Sequence, residues 1–198
     1  MKKFDLLITG VGGQGVILAS DILSEAALTA GYDVKKTDTL GLAQRGGSVI
    51  SHIRIGQRVW SPLIKEGEAD ILLALEKLEA ARWGYYLQPG AIAIVNNYAR
   101  PPLSVNLGNE HYPTDEEITS ILKRRSARVY FVNSTSRTRE LGNISTLNIF
   151  MLGCASLFLP FRVSIWQESI SRHVPPSAQK INIDAFKQGR KEIRGGYL

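Results

Sequence analysis

The sequence feature that most constrains the fold is a run of glycines near the start of the chain, Gly10-Val11-Gly12-Gly13-Gln14-Gly15. It follows an apolar stretch at residues 4–9 and opens a helical pattern over residues 14–30, which predicts a strand, a turn and a helix. Glycines allow a tight turn with positive φ, and they leave the backbone N–H groups at the helix start open to an anion. We therefore predict a binding loop for a phosphate-bearing ligand.

The spacing of these glycines also fits the fingerprint of dinucleotide-binding folds. That fingerprint expects an acidic residue about 20 positions further on, at the end of the second strand. The predicted second strand, residues 33–37, carries Lys35 and Lys36 there, although Asp38 is close enough to leave the register open. A free-standing nicotinamide dehydrogenase is therefore disfavoured, and the ligand is predicted only as far as its phosphate.

Composition predicts one folded domain, residues 1–198, in which residues 146–198 form a helical C-terminal extension. With 198 residues and 44% hydrophobic content, the chain can bury one substantial core. Its single cysteine, Cys154, lies in an apolar run and is expected to be a buried, inert thiol. One cysteine excludes an intrachain disulfide or a cysteine-ligated iron–sulfur cluster. We expect no signal peptide, no membrane span and a cytoplasmic location.

Apolar patterning predicts an α/β fold, specifically a Rossmann-like, doubly wound and mostly parallel sheet with a helical C-terminal arm. The alternation at residues 48–55 predicts a strand, and Gly56-Gln57 is expected to turn the chain into a partner strand at 58–60. Other runs predict strands at 70–75, 91–95 and 128–132, and helices at 77–87, 114–125, 146–159, 163–172 and 178–193.

A second glycine-containing loop, Gln44-Arg45-Gly46-Gly47, precedes the strand at 48–55. Arginine can hold a phosphate or carboxylate with two hydrogen bonds, and the adjacent glycines let a ligand approach the backbone. Both glycine loops follow strands of the same half of the predicted sheet, so we expect them at one carboxyl edge. Asn96, at the end of the strand at 91–95, is predicted to add a polar contact at that edge.

No residues in the sequence form a recognisable catalytic or metal-binding set. His52 alternates within a strand and is expected to be a structural histidine, while Ser24-Glu25 and the acids from Glu76 to Glu79 are interpreted as helix-surface residues. The net charge of +6 suits nucleic acid, a phosphorylated ligand or an acidic partner equally. No stacking pattern or nucleic-acid motif accompanies the basic residues, so we predict no nucleic-acid partner.

Taken together, the motifs resemble the gamma domain of the 2-oxoacid:ferredoxin oxidoreductase family, with the greatest similarity to its indolepyruvate branch. The resemblance covers nearly the whole chain, and the combination of two glycine motifs is more specific than either motif alone. It is carried by Gly10 to Val16, by Leu42 to Val49, by His52-Ile53-Arg54, by Ser61-Pro62-Leu63-Ile64, by Gly67 to Asp70, by Glu76 to Ala80, by Leu141-Gly142-Asn143, by Asn148 to Gly153, and by Asn182 and Ala185-Phe186.

This resemblance implies an enzyme subunit that is inactive alone. Thiamine diphosphate and iron–sulfur clusters would be carried by an alpha subunit, and the complex would oxidatively decarboxylate an aryl pyruvate, reduce ferredoxin and form an acyl-CoA. The gamma-type chain would help to bind coenzyme A and close the active site. On this basis the amides of Gly12 to Val16 are assigned to the coenzyme A phosphates, with Arg45 as the charge partner.

One departure from the family pattern concerns the substrate. Related chains often carry a histidine shortly before the second glycine motif, where this chain has Leu40 in Asp38-Thr39-Leu40-Gly41. Another 2-oxoacid, such as pyruvate, a branched-chain 2-oxoacid or 2-oxoglutarate, therefore remains an alternative substrate. A nucleotide-binding module without catalysis remains the alternative of a different class.

Overall fold

A six-stranded sheet, in the order β2-β3-β1-β4-β5-β6, forms the centre of the computed structural model, which describes residues 2–40 and 47–195. The strands are β1 Phe4–Val11, β2 Asp33–Leu40, β3 Ser48–Gly56, β4 Ala69–Ala74, β5 Leu87–Asn96 and β6 Ser126–Val132. The α-helices are α1 Val16–Thr29, α2 Lys77–Trp83, α3 Leu103–Asn106, α4 Asp115–Lys123, α5 Ser134–Glu140, α6 Leu147–Ala155, α7 Val163–His173 and α8 Pro176–Gly195. Short 3₁₀ turns occupy Gly84–Tyr86, Ile144–Thr146 and Ser156–Phe158.

Strand directions confirm the predicted, mostly parallel sheet. β1, β4, β5 and β6 pair in parallel, whereas β3 runs antiparallel to both of its neighbours, β1 and β2. β1 and β2 therefore point the same way. The register pairs Val11 with Ser48 and Leu40 with Val49, so the ends of β1 and β2 and the start of β3 share one edge of the sheet.

The partner strand predicted at residues 58–60 is wrong. β3 finds its antiparallel partners in β1 and β2 instead, and the chain leaves the sheet after Gly56. The amide of Val59 donates to the Asp33 carboxylate at 2.7 Å, so the segment crosses the start of β2 and does not form a ladder. The helix predicted at 77–87 is also too long, because α2 ends at Trp83 and β5 begins at Leu87.

Helices cover both faces of the sheet, which confirms the doubly wound arrangement. Leu6 and Ile8 point to a core shared with α1, α6, α7 and α8, whereas Leu7 points to a second core shared with α2 and α4. Side chains alternate between the two faces of a strand, so a continuous apolar strand such as β1 serves both cores. Among the described residues, no helix is long and apolar enough to cross a membrane.

The helices predicted after residue 146 are confirmed, and α6 and α8 pack unusually close together. Every residue of α6 is buried. The contact is made at two glycines: a Cβ atom at Gly189 would lie 1.9 Å from the Phe150 carbonyl oxygen, and one at Gly153 would lie 2.2 Å from that of Phe186. Because a helix backbone cannot yield as a flexible side chain can, these positions require glycine.

Replacement of Gly189 by alanine should therefore destabilise the protein by about 3 kcal/mol, the upper range for overpacking a core. The matched control is Gly84→Ala, because Gly84 has φ −59° and its nearest neighbour would be the flexible Leu122 side chain at 3.1 Å. Urea denaturation of both variants measures the difference in unfolding free energy. Equal stabilities would contradict the proposed backbone contact.

Candidate ligand-binding site

The glycine loop between β1 and α1 ends in a helix N-terminus without a side-chain cap. Gly13 and Gly15 have φ values of 98° and 80°, a left-handed conformation that favours glycine. Gly15 is the N-cap of α1, and the first turn of the helix contains no acidic residue. The partial positive charge at this end of the helix is therefore not neutralised by the helix itself.

The Gln14 side chain holds this loop in place. Its Oε1 accepts from the amide of Val11 at 2.7 Å, and its Nε2 donates to the carbonyl of Leu75 at 3.1 Å. A Cβ atom at Gly10 would lie 2.7 Å from Gln14 Oε1, so the glycine makes room for this clamp. In the structure both Gly10 and Gln14 shape the loop.

Three of the five amides assigned to a ligand have no hydrogen-bond partner in the described part of the chain. The amide of Gly12 donates to the carbonyl of Gly47 at 2.8 Å, and that of Gln14 donates to Val11 at 3.0 Å. The amides of Gly13, Gly15 and Val16 have no acceptor within residues 2–40 and 47–195. Any anion above the loop would therefore meet these three donors, and the assignment of Gly12 and Gln14 as donors is not supported.

The second predicted loop approaches the first at its described end. The bond from Gly12 to Gly47 places the start of β3 directly beside the glycine loop. Gln44, Arg45 and Gly46 lie outside the described residues, so their part in the site stays a prediction.

A cavity of about 320 Å³ lies over the glycine loop. Its lining includes Gly13, Gly15, Tyr98, Arg100 and Asn148. The Arg100 side chain is exposed, and its guanidinium has no ion pair or hydrogen bond to any residue that the structure describes. The sequence analysis missed this arginine, because nothing local to residue 100 indicates that it lines the cavity at the glycine loop.

Asn148 and the carboxylate of Glu76 hold the two sides of this cavity. Asn148 Nδ2 donates to the carbonyl of Gly15 at 3.1 Å, which joins α6 to the start of α1. Glu76 is fully buried, accepts from the amide of Arg100 at 2.9 Å, and accepts from the hydroxyl of Tyr112 at 2.5 Å. Burial and the neighbouring Glu76 raise the pKa of Tyr112. Glu76 thus fixes the backbone that carries Arg100.

The interpretation of Glu76 and Glu79 as helix-surface acids is wrong. Glu76 also caps α2 by accepting from the amide of Glu79 at 2.9 Å. The Glu79 carboxylate is buried and accepts from the Ser48 hydroxyl and from the Trp83 indole N–H. Burial raises the pKa of Glu79. Both acids face inward, and their hydrogen bonds tie the start of α2 to neighbouring segments.

Asn96 makes all its hydrogen bonds inside the protein. It is fully buried; its Nδ2 donates to Leu75 and Thr135, and its Oδ1 accepts from the Ser134 hydroxyl at 2.5 Å. In this position the amide has no donor or acceptor left for a ligand, so we leave Asn96 out of the proposed ligand set. Its role is to connect β4, β5 and the start of α5.

Dinucleotide-binding folds carry a ribose-binding carboxylate near the end of the second strand. In this protein the charged residues at that point of β2 form an internal ion-pair cluster. Lys36 contacts both Asp21 and Asp38, the latter at 2.9 Å. Asp38 also accepts from the Ser51 hydroxyl at 2.6 Å. Because its charge is already paired, Asp38 is poorly suited to bind a ribose. This is consistent with the prediction that disfavours a nicotinamide dehydrogenase.

Two isolated residues have the structural roles that the sequence predicts. His52 is buried, and its Nδ1 accepts from the amide of Ile64 at 3.3 Å. Burial lowers the pKa of His52, which favours the neutral form of the ring. The Cys154 thiol is buried in α6, and burial raises its pKa. Neither side chain is poised for proton transfer or nucleophilic attack.

The fold is therefore an α/β domain in which a glycine loop, a helix N-terminus and a cavity lie together at one edge of the sheet. No group of three or more metal-binding side chains occurs within the described part of the chain. The family model for pyruvate ferredoxin/flavodoxin oxidoreductases matches residues 5–192. The chain belongs to this family.

Full-length relatives are similar to this chain. It is 37% identical, over 98% of both chains, to the indolepyruvate oxidoreductase subunit IorB of Thermococcus kodakarensis, and equally to that of Pyrococcus horikoshii. A more distant relative, at 30% identity over 99% of both chains, is the 2-oxoglutarate synthase subunit KorC of Methanothermobacter marburgensis.

Solved structures share the fold. The gamma subunit of a keto/oxoacid ferredoxin oxidoreductase from Geobacter sulfurreducens aligns with a TM-score of 0.72 at 22% identity, over 98% of this chain and 99% of that one. The 2-oxoglutarate:ferredoxin oxidoreductase of Magnetococcus marinus, solved with 2-oxoglutarate, coenzyme A and succinyl-CoA, aligns with a TM-score of 0.77 at 17% identity. That match covers 98% of this chain but 32% of the longer one.

Alanine at Gly15 should cost more than alanine at Gly31, although both glycines have positive φ. Each substitution costs about 1 kcal/mol for the left-handed backbone. A Cβ atom at Gly15 would also lie 2.5 Å from Asn148 Nδ2, whereas nothing lies within 4 Å at Gly31. The lost Asn148 hydrogen bond adds about 1 kcal/mol. Equal unfolding free energies in urea would refute the role of Asn148.

Glu79→Gln should become relatively more stable as the pH rises. The pKa of Glu79 is raised above its ordinary value of 4.5, so the folded state binds more protons than the unfolded state in the window above that value. The wild type therefore loses stability as the pH rises through this window, and the variant does not. Denaturation midpoints between pH 4 and 8 measure the effect, with the exposed Glu116→Gln as control. A constant difference from the wild type at all pH values would contradict it.

Proposed function

We propose that this chain is the small, thiamine-free subunit of an indolepyruvate-type 2-oxoacid:ferredoxin oxidoreductase, and that it binds coenzyme A at the glycine loop. Family membership and the 37% identity to indolepyruvate oxidoreductase subunits along nearly the whole chain support the first part. In this complex a larger alpha subunit carries thiamine diphosphate and the iron–sulfur clusters. The assembled enzyme converts an aryl pyruvate to an acyl-CoA and reduces ferredoxin.

The observation that carries the coenzyme A proposal is the coincidence of donors and charge in one cavity. The open amides of Gly13, Gly15 and Val16 belong to the same loop as the cavity floor. Arg100, whose guanidinium has no partner among the described residues, forms part of the cavity wall. Backbone N–H groups at a helix N-terminus favour phosphate, and a guanidinium can bind phosphate through two hydrogen bonds. In the proposal, Gln44, Arg45, Gly46 and Gly47 complete the site from the second loop.

The size of the cavity fits part of a coenzyme A molecule, and in our proposal the chain also helps to close the active site over that ligand. At about 320 Å³ it is at the small end of ligand pockets, so it accommodates the phosphate-bearing part of a large carrier. The thiol end of coenzyme A must then extend towards the partner that holds the reaction centre. A similar fold occurs in a 2-oxoglutarate:ferredoxin oxidoreductase solved with coenzyme A, which is consistent with this ligand.

A 2-oxoacid other than an aryl pyruvate is the alternative substrate of the complex. Leu40 departs from the histidine that the family resemblance leads us to expect, and a 2-oxoglutarate synthase subunit is 30% identical to this chain. A panel of 2-oxoacids assayed on the assembled complex distinguishes an aryl pyruvate from pyruvate, a branched-chain 2-oxoacid or 2-oxoglutarate. We place the complex in the cytoplasm, where reducing conditions suit the single thiol of Cys154.

Arg100→Ala should raise the KM for coenzyme A by at least tenfold in the assembled complex, since a charge-assisted hydrogen bond contributes about 1.5–3 kcal/mol. We expect the same direction for Arg45→Ala. The kcat at saturating coenzyme A should change little, because neither residue is assigned to the reaction centre. Ferredoxin reduction at varied coenzyme A concentrations measures both constants.

The control for this experiment is Arg124→Ala, which removes an exposed arginine at the end of α4. Its KM for coenzyme A should equal that of the wild type. An unchanged KM in both Arg100→Ala and Arg45→Ala would refute the ligand assignment. A chain that bound a nucleotide but did not assemble with a thiamine-containing subunit would favour the nucleotide-binding module instead.

A further inference from the structure

The loop that follows β3, residues 57–64, presents a large aromatic side chain to solvent. Trp60 is 78% exposed and Leu63 is 58% exposed. On either side of this pair, Val59 and Ile64 are buried and anchor the loop to the protein. An exposed indole beside an exposed leucine is an unfavourable arrangement for an isolated chain, because both leave apolar surface in water.

The exposure of Trp60 is built into the fold. The loop is held at three points: the Val59 amide donates to Asp33 at 2.7 Å, the carbonyl of Leu63 accepts from Arg54 at 3.1 Å, and the Ile64 amide donates to His52 at 3.3 Å. A loop fixed on both sides of its apolar residues loses little conformational freedom on binding. Such pre-organisation is what a recognition surface requires.

The surroundings of Trp60 are cationic. An open depression of about 690 Å³ beside it is lined by Lys3, Arg54 and Arg58, with no carboxylate among its described lining residues. Lys3 and Arg54 share the carboxylate of Asp5. The guanidinium of Arg58 lies 4.0 Å from the centroid of the Trp60 ring, and the structure describes no acidic partner for it. The uncompensated charge therefore lies next to the exposed indole.

We propose that the 57–64 loop docks onto the large subunit of the oxidoreductase complex, which receives the Trp60 indole in an apolar pocket and faces Arg58 with carboxylates. Trp and Arg are the residues most enriched among those that dominate interface energies. A second copy of this chain is a poor occupant, because an isologous contact would place each cationic patch against itself. This inference rests on the proposed function, and it adds the surface at which this chain contacts the large subunit.

The 57–64 loop and the ligand-binding cavity lie at opposite edges of the sheet. It adjoins the Phe4–Ile55 end of the β1–β3 pair, whereas the glycine loop adjoins the Val11–Ser48 end. Eight residues of β1 span about 25 Å between these ends. Contact at the 57–64 loop therefore does not itself cover the cavity at the opposite edge, where the large subunit meets coenzyme A in the proposed function.

The test uses the full chain and the co-expressed large subunit from the same organism, with the dissociation constant measured by biolayer interferometry. Trp60→Ala should weaken binding by roughly 30-fold, as expected for an interface residue worth about 2 kcal/mol. Arg58→Glu should weaken it at least tenfold and reduce the loss of affinity with added salt. Leu107→Ala, at a leucine that is 65% exposed outside this loop, is the matched control and should bind as the wild type does.

Thermal melting and static light scattering accompany each variant. Melting temperatures equal to that of the wild type would show that Trp60→Ala and Arg58→Glu retain the fold, as their exposure predicts. Unchanged affinity in both variants, an equal loss in Leu107→Ala, or a wild-type homodimer that Trp60→Ala dissociates would each overturn the docking proposal. If the wild type does not bind the large subunit at all, the proposed function fails as well, so the two failures are distinguishable.

Discussion

The amide side chain of Gln14 is the interaction on which the arrangement of this protein's carboxyl edge depends. It joins the end of β1, at Val11, to the residue after β4, at Leu75. The neighbouring bond from Gly12 to Gly47 joins the same turn to the start of β3. Together these bonds hold the ends of three neighbouring strands around one short glycine turn. The N-terminus of α1 is fixed by the same bonds.

Behind this edge lies a layer of buried polar groups that would be costly without their hydrogen bonds. Glu76 and Glu79 accept from backbone amides, hydroxyls and an indole, and Glu76 has no cationic partner among the described residues. A buried carboxylate is unfavourable unless such donors satisfy it. The two carboxylates fix the positions of their neighbours: Glu76 holds the backbone of Arg100, and Glu79 holds Ser48 at the end of the second loop.

The two edges of the sheet differ in the chemistry they present. The carboxyl edge presents backbone amides and the Arg100 guanidinium, which have no partner among the described residues, and in our proposal these groups bind the phosphates of coenzyme A. The opposite edge offers an exposed indole and a cationic depression, which suits a protein surface. In neither place do the described residues form a nucleophile with a base or a set of metal ligands. The chain belongs to a family whose members are subunits of larger oxidoreductase complexes.

The sequence by itself determined the elements that depend on near neighbours. The strand–glycine–helix unit, the alternation in β3 and the capping box at Thr114 and Glu117 all follow from local spacing and local hydrogen bonds. Only the tertiary structure decided that β3 pairs with β1 and β2, that Asn96 is internally bonded, and that Arg100 lines the cavity. Most of those outcomes depend on contacts between residues far apart in the chain, such as Glu76 with Arg100, 24 positions apart, and Asn148 with Gly15, 133 positions apart. Periodicity and capping report only on the nearest turns of the chain, so they carry no information about such distant partners.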